Sequence, residues 1–406
     1  MTSTNTSRRV LIGLAATAAL AAAGLAGGTA TATTPPAGTG GAAAPSGDPI
    51  KIGVAADLTG PFTLYGTSME RSAEIAVDEI NAAGGVLGRP LQLIVEDTQT
   101  DVAVTTDKSR KLIESDKVGA VLGPIGSDAA DAMFKTVAQD GKTILIYPET
   151  YEGGKCDPMF FSTGAVPAQQ IRPMLPVLQK EFGPKVLLFG ADYVWPRRSF
   201  EIAKPIIDEI GGELVGEVYL PLIADDFTEL IDAVRESKPD YIYSLYPAVW
   251  GAALKALEDA GVLDGVGIGT TFLGDPGLDG LSPAAVGTYT ALPFFTVAKG
   301  DGVASFLAAF QAKFGADQIP SGGEGLGAYN AIHLYAQAVA KAGSTDPAAV
   351  AAAMVGQTFN SPTGAVTVEP SHHVTQTIQL AKVGPDMKHV FVQAFENQPS
   401  EESCKL

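Results

Sequence analysis

The sequence predicts an α/β fold of two similar halves, each a parallel sheet with helices on its faces. Three observations carry that reading. Short apolar strands alternate with amphipathic helical stretches, the pattern of βαβ units. The alternation restarts near residue 170. Aromatic residues are only 7% of the chain, yet they gather in the loops that follow strands.

Ile50, Ile52, Val54 and Ala56 alternate in a strand that stops at Asp57-Leu58-Thr59-Gly60-Pro61. Met69, Ala73, Ala76 and Ile80 then recur at helical spacing, and Gly84-Gly85 ends that helix. A strand over 91–96, a helix over 104–113 and an apolar strand over 118–122 follow. A helix opens near Ser127, and a strand over 143–147 closes the first set. The second set places helices over 170–182, 198–210, 227–235 and 249–260. Its strands fall over 185–189, 213–219, 241–245 and 266–272. From Asp301 come two or three helices, one of them over 328–342, then strands over 365–369, 375–383 and 389–394 with no helix between them.

The first fifty residues are read as address and tether. Arg8 and Arg9 precede an apolar run, Val10 to Leu25, and Ala30-Thr31-Ala32 makes an A-x-A cleavage signature, together a secretory signal peptide over 1–32. The run is short of the roughly 20 residues needed to span a bilayer. The paired arginines loosely resemble a twin-arginine signal, and no Cys near the cleavage point offers a lipoprotein anchor. Residues 33–47, rich in Thr, Pro, Gly and Ala, read as a flexible linker. The chain's 406 residues suggest two to three domains. A formal charge of −18 argues against a nucleic-acid partner, whose phosphates need a basic face. Four His and two Cys leave too little for a Cys/His metal cluster. No cofactor is expected. Gly322-Gly323-Glu324-Gly325-Leu326-Gly327 lacks the Lys-Ser/Thr of a phosphate loop.

An open parallel sheet binds its ligand outside the carboxyl ends of its strands. That rule selects 57–61, 123–127 and 147–151 in one half and 191–196, 246–247 and 272–275 in the other. These loops carry Tyr147, Tyr151, Tyr193, Trp195, Tyr246 and Phe272. Facing strand ends would enclose an aromatic-lined cleft.

Asp57-Leu58-Thr59-Gly60-Pro61 and Glu79-Ile80-Asn81-Ala82-Ala83-Gly84-Gly85-Val86-Leu87-Gly88-Arg89-Pro90 resemble type I periplasmic solute-binding proteins of the branched-chain amino acid class, from about residue 50 to 395. Tyr147-Pro148-Glu149-Thr150-Tyr151-Glu152-Gly153 with Cys156, Gly190-Ala191-Asp192-Tyr193-Val194-Trp195-Pro196-Arg197 and Val368-Glu369-Pro370-Ser371-His372-His373 are similar to motifs of the urea and short-chain-amide binders. The resemblance implies two Rossmann-like lobes joined by three hinge crossovers, near 164–167, 292–294 and 361–363. It divides the chain into an amino-terminal lobe (48–165 plus 294–362), a carboxy-terminal lobe (166–293 plus 363–395) and a polar tail (396–406). It implies a monomer on the periplasmic or extracellular face that captures a small-molecule solute by hinge closure and hands it to ABC importer permease subunits.

Each candidate ligand residue has a plainer alternative. Ser127 opens a helix, where its hydroxyl and free N–H groups suit a carbonyl or carboxylate oxygen, or it is only an N-cap. Tyr193 and Trp195 pack on the ligand in the amide binders, or they only cover the sheet edge. Tyr147 is expected to bond an amide edge, Tyr65 to sit at the rim, and Tyr246 in a strand-end loop of the second half. Glu149 departs from the amide binders, which carry a neutral or small residue there. It accepts N–H bonds from an amide, urea or amidine, pairs with an amino acid's ammonium, or is a solvated loop carboxylate. Asp275 is a second acid. Cys156 matches a Cys of the urea-binding relatives, and a bridge to Cys404 would staple the polar tail to the amino-terminal lobe.

Three function classes compete. The first is a transport receptor for urea, a short amide or a related solute, with amino acid binding as the alternative. The second, a secreted amidase, lacks a G-x-S-x-G elbow. The third is a secreted ligand sensor without a transporter. The exported protein is expected to begin near Thr33, which its intact mass checks. A retained Arg8-Arg9 peptide would overturn the cleavage.

Overall fold

The computed structural model describes residues 45–406; the expected leader and all of the expected linker but 45–47 lie outside the described residues. The first sheet takes β1 (Ile50–Ala56), β2 (Leu91–Asp97), β3 (Ala120–Leu122), β4 (Ile144–Tyr147) and β5 (Phe160–Ser162). Its order is β2-β1-β3-β4-β5, and every neighbouring pair is parallel. Helices α1 (Thr63–Ala82), α2 (Val102–Arg110) and α3 (Ser127–Met133) connect these strands, the last two running on as π turns.

The second sheet begins with β6 (Lys185–Ala191), β7 (Glu213–Leu220), β8 (Tyr241–Leu245), β9 (Gly267–Thr270) and β10 (Tyr289–Leu292). They lie in the parallel order β7-β6-β8-β9-β10. Around them pack α4 (Pro167–Phe182), α5 (Val194–Glu209), α6 (Thr228–Ser237) and α7 (Trp250–Asp259). Then come α8 (Val303–Phe314), α9 (Glu324–Ala342) and α10 (Pro347–Met354). A meander of β11 (Thr358–Ser361), β12 (Gly364–Val368), β13 (Val374–Val383) and β14 (His389–Gln398) ends the fold.

The two-residue period of the strands decides which layer each side chain joins. Ile52, Val54, Leu122 and Ile146 meet Met69 and Ala73 of α1 and Ile332 and Tyr335 of α9. Ala55, Val121 and Leu145 point the other way, toward Leu112, Met133 and Val137. In the second lobe Val186, Leu188 and Tyr243 meet α4 and α5, while Leu187, Phe189 and Ile242 meet Leu230 and Leu254. Both sheets are covered on both faces, as parallel sheets require.

Five departures from the sequence reading have local causes. Strands β5, β10 and β11 are three or four residues long, too short to show a period. Helix α5 begins at Val194, four residues early. Pro196 costs it no bond, because the first N–H groups of a helix have no partner inside it. Helix α9 begins at Glu324, so its glycines are helical. A Cβ on Gly327 would lie 2.2 Å from the Pro148 carbonyl oxygen, and glycine is what lets the helix come so close to the end of β4. The hairpin β11–β12, expected partly in the second lobe from residue 363, buries Val366 and Val368 in the first-lobe core beside Val374. The chain therefore passes between lobes along β13, whose Ile378 and Leu380 join the second core. Strand β14 reaches Gln398, beyond the expected boundary at 395.

Beyond β14 the chain is tied down at several points. Ser400 bonds Glu369, Glu401 pairs with Arg172, and Glu402 accepts from the Gly154 N–H at 2.9 Å. Cys156 and Cys404 form a disulfide with Cα atoms 5.5 Å apart. Among the described residues no helix is long and apolar enough to cross a membrane. Replacing both cysteines by serine is expected to cost about 2–4 kcal/mol of stability, read by denaturant unfolding without reductant.

Candidate functional site

A cavity lies where the strand ends of the two sheets meet. Phe62, Tyr65, Ser127, Glu149 and Glu324 reach it from the first lobe. Tyr193, Trp195, Pro247 and Phe272 reach it from the second. The space open to the centre of a water molecule is about 40 Å³, room for a few waters at roughly 10–15 Å³ each or one small solute. Among the described residues no Lys, Arg or His lines it.

Five of the eight expected ligand residues meet there: Tyr65, Ser127, Glu149, Tyr193 and Trp195. Ser127 is the first residue of α3, after Gly126 as N-cap, so it is not the cap. Its hydroxyl donates to Glu152 Oε2 at 2.9 Å. Glu152 is held in turn by Lys155, whose Nζ lies 2.8 Å from Oε1 and 2.9 Å from Asp131. With its proton directed to that carboxylate, Ser127 offers the cavity lone pairs rather than the donor expected from sequence. Tyr193 is the N-cap of α5 and Trp195 lies in its first turn, with ring centroids 6.3 Å apart. Burial pushes the Tyr193 phenol up, and Glu149 adds to it, so Tyr193 remains a neutral donor.

Tyr147, Tyr246 and Asp275 do not line this cavity. Tyr147 is buried one layer behind, its hydroxyl donating to the Ile125 carbonyl at 2.7 Å, so it supports the wall. Tyr246 stacks on Phe189 at 4.7 Å, and its hydroxyl donates to the Pro221 carbonyl at 2.6 Å. Asp275 is spent on Thr296 and His389, accepting from the Thr296 N–H at 2.7 Å with its other oxygen 3.0 Å from His389 Nδ1. Tyr151 is core, stacked on His373. Burial lowers His373 to about 4, and His372 stacks on Phe161 at 4.1 Å, so both imidazoles are packing groups.

Glu324 is the charged lining residue that sequence reasoning missed. It sits in the first turn of α9, 4% exposed. Glu324 Oε1 and Glu149 Oε2 are buried without a hydrogen-bond partner, whereas Glu149 Oε1 accepts from the Thr150 N–H at 2.9 Å. Burial pushes the Glu149 carboxyl well above the usual carboxylate range, and Glu324 and Asp57 push the same way against the Thr150 N–H. Burial also raises Glu324, while the Ser321 hydroxyl and the N–H groups of Glu324 and Gly323 oppose it. Two carboxyls facing one cavity without a cation cannot both ionise cheaply. The signal in the sequence was a Glu at a helix start whose flanking glycines demand close packing.

These raised values fix a sign. The unfolded chain releases its protons near 4.5 while the folded chain keeps them, so the pair lowers stability as pH rises above that point. Glu149→Gln and Glu324→Gln are each expected to raise the Tm of the ligand-free protein at pH 8, with the gain shrinking toward pH 4.5. Melting curves across that range check it.

A family model described as periplasmic binding protein matches residues 49–388. The leucine-, isoleucine-, valine-, threonine-, and alanine-binding protein of Pseudomonas aeruginosa is 27% identical over 329 residues, covering 78% of this chain and 85% of that protein. The Leu/Ile/Val-binding protein BraC3 of Rhizobium johnstonii is 27% identical over 345 residues, covering 82% and 91%. A solute binding protein of an ABC transporter from Rhodopseudomonas palustris BisB5, solved with 3,4-dihydroxy benzoic acid, superposes with a TM-score of 0.77 at 24% identity over 87% of this chain and 98% of that one. LivJ from Streptococcus pneumoniae, solved with isoleucine, superposes with a TM-score of 0.74 at 22% identity over 86% and 100%.

Proposed function

This chain belongs to the periplasmic binding protein family, and from that premise we propose that it is the solute receptor of an ABC importer, working outside the cytoplasmic membrane. It binds and releases; it turns nothing over. The solute is small, polar and rich in N–H donors, the class that includes urea and short-chain amides. One observation carries this reading: three polar oxygens of the cavity lining, Glu149 Oε2, Glu324 Oε1 and Thr150 Oγ1, are buried without a partner, and the Ser127 hydroxyl offers its lone pairs. Buried polar groups without partners are costly, and an amide or urea, with N–H donors and a carbonyl acceptor, answers carboxyl and hydroxyl alike.

The relatives named for leucine, isoleucine and valine, and those solved with benzoic acids, suggest carboxylate ligands as the rival. A carboxylate here would enter beside two buried carboxyls with no basic side chain in the lining. The cavity draws its walls from both lobes, so a ligand touching both favours a closed arrangement over an open one.

Calorimetry on ligand-stripped protein tests the class, with urea, acetamide, isoleucine and 4-hydroxybenzoate as probes. Binding by urea or acetamide is expected, together with a smaller radius of gyration in solution scattering at saturation. Tight binding of isoleucine or 4-hydroxybenzoate alone would sink the solute assignment and leave the receptor assignment standing.

A further inference from the structure

We propose that the cavity is built for a small organic cation, an amidinium, guanidinium or alkylammonium, gripped by Glu149 and Glu324 of the first lobe and covered by Tyr193, Trp195 and Phe272 of the second. The proposal rests on the receptor reading above and narrows its solute class.

Three independent features converge on it. The first is the pair of unpartnered oxygens, Glu149 Oε2 and Glu324 Oε1, both buried at the same cavity. Elsewhere among the described residues most buried carboxylates are answered; Asp57, outside the cavity lining, leaves Oδ1 without a partner while its Oδ2 accepts from the Ile125 N–H. Glu152 has Lys155 and Ser127, Glu369 has Ser371, Thr375 and Ser400, and Asp275 has Thr296 and His389. Leaving two such oxygens open at one spot fits a cation that comes and goes. The second feature is that, among the described residues, no Lys, Arg or His lines the cavity to answer them from within. The third is the opposite wall. Tyr193 and Trp195 lie side by side there, and Phe272 packs edge-on against Trp250. Aromatic faces attract cations electrostatically and give an anion nothing.

A bare metal ion is a poorer occupant. Among the described residues no group of three or more His, Cys, Asp or Glu could hold one, and apolar and aromatic walls cannot replace the ion's water. A planar or alkylated nitrogen cation uses all three features at once, with N–H groups toward the carboxyls and its weakly hydrated face toward the rings.

Proton traffic follows from the same arrangement. The groups facing the pair are Asp57 at the end of β1, Tyr65 on α1, Tyr147 at the end of β4, and Tyr193 at the start of α5. All are acids or phenols, so none supplies positive charge. The empty site accordingly holds its carboxyls protonated beyond the ordinary carboxylate range. An arriving cation takes the place of those protons, which leave to the buffer, and affinity rises with pH until the empty site ionises by itself.

The test uses three isosteres, acetamidinium, acetamide and acetate, on ligand-stripped full-length protein by calorimetry in phosphate and in Tris. Acetamidinium is expected to bind at least about tenfold more tightly than acetamide, the scale of one charged hydrogen bond. It should also give heats that differ between the buffers as protons are released, and acetate should not bind. Glu149→Gln and Glu324→Gln should each weaken acetamidinium by about tenfold more than they weaken acetamide, with circular dichroism reporting the fold intact. Equal affinity for acetamide and acetamidinium, buffer-independent heats, or no acetamidinium binding would each overturn the cation assignment. If urea or acetamide binds and acetamidinium does not, that assignment falls alone. If only isoleucine or 4-hydroxybenzoate binds, the small-solute reading falls with it.

Discussion

The close approach of α9 to the end of β4 is the contact on which the site depends. A Cβ at Gly327 would meet the Pro148 carbonyl oxygen, and one at Gly325 would meet Ser68 Oγ at 2.7 Å. A larger side chain at Gly327 would press on backbone and push the helix outward, whereas one at Gly325 would first turn the Ser68 hydroxyl aside. Packed this tightly, α9 buries Ile332 and Tyr335 on the first sheet and carries Glu324 to the side of Glu149. A helix glycine is a cost of about 1 kcal/mol against alanine, and here that cost accompanies an acid placed at the mouth of a sheet. Strand order does the rest, because β1, β3 and β4 bring the helix starts holding Tyr65 and Ser127 and the loop holding Glu149 to one edge.

Sequence showed the layers well and the short pieces badly. Strands such as Ile50–Ala56 and Tyr241–Leu245 and helices such as α1 declared themselves by period, since their burial on the sheet faces dictates it. Strands β5, β10 and β11 did not, because a few residues held by neighbouring strands need no pattern of their own. The rule that ligands sit at strand ends located Ser127, Glu149, Tyr193 and Trp195. It also named Tyr246 and Asp275, which are at strand ends but turn inward to the Pro221 carbonyl and to His389. Position along the chain fixes where a side chain starts, and only the surrounding partners fix where its polar end goes. Glu324 escaped for a related reason. A run of glycines reads as loop until the surface it must fit is known.

Behind the cavity runs a chain of charged and polar groups. Ser127 leads to Glu152, Glu152 to Lys155, and Lys155 to Asp131 and to the ring of Tyr151 at 5.1 Å. Lys155 is 8% exposed, and buried pairs of this kind are destabilising when one partner is lost. The network holds Glu152 away from the cavity as a satisfied anion, in contrast to Glu149 only three positions earlier. Two acids of one loop thus have opposite fates, one answered inside the protein and one left open.

The bond between Cys156 and Cys404 changes the connectivity of the molecule. Strand β14 belongs to the second sheet and Cys156 to the loop between β4 and β5 of the first. The sulfurs close a covalent ring that contains the whole second lobe, its two ends separated by 248 in sequence. The ring cannot be shut until the polypeptide that forms that lobe has been synthesised, and it needs an oxidant that a reducing cytosol withholds. The loop bearing Lys155 and Glu152, and through them Ser127, therefore receives its covalent fastening only after the rest of the ring has been made and where an oxidant is at hand.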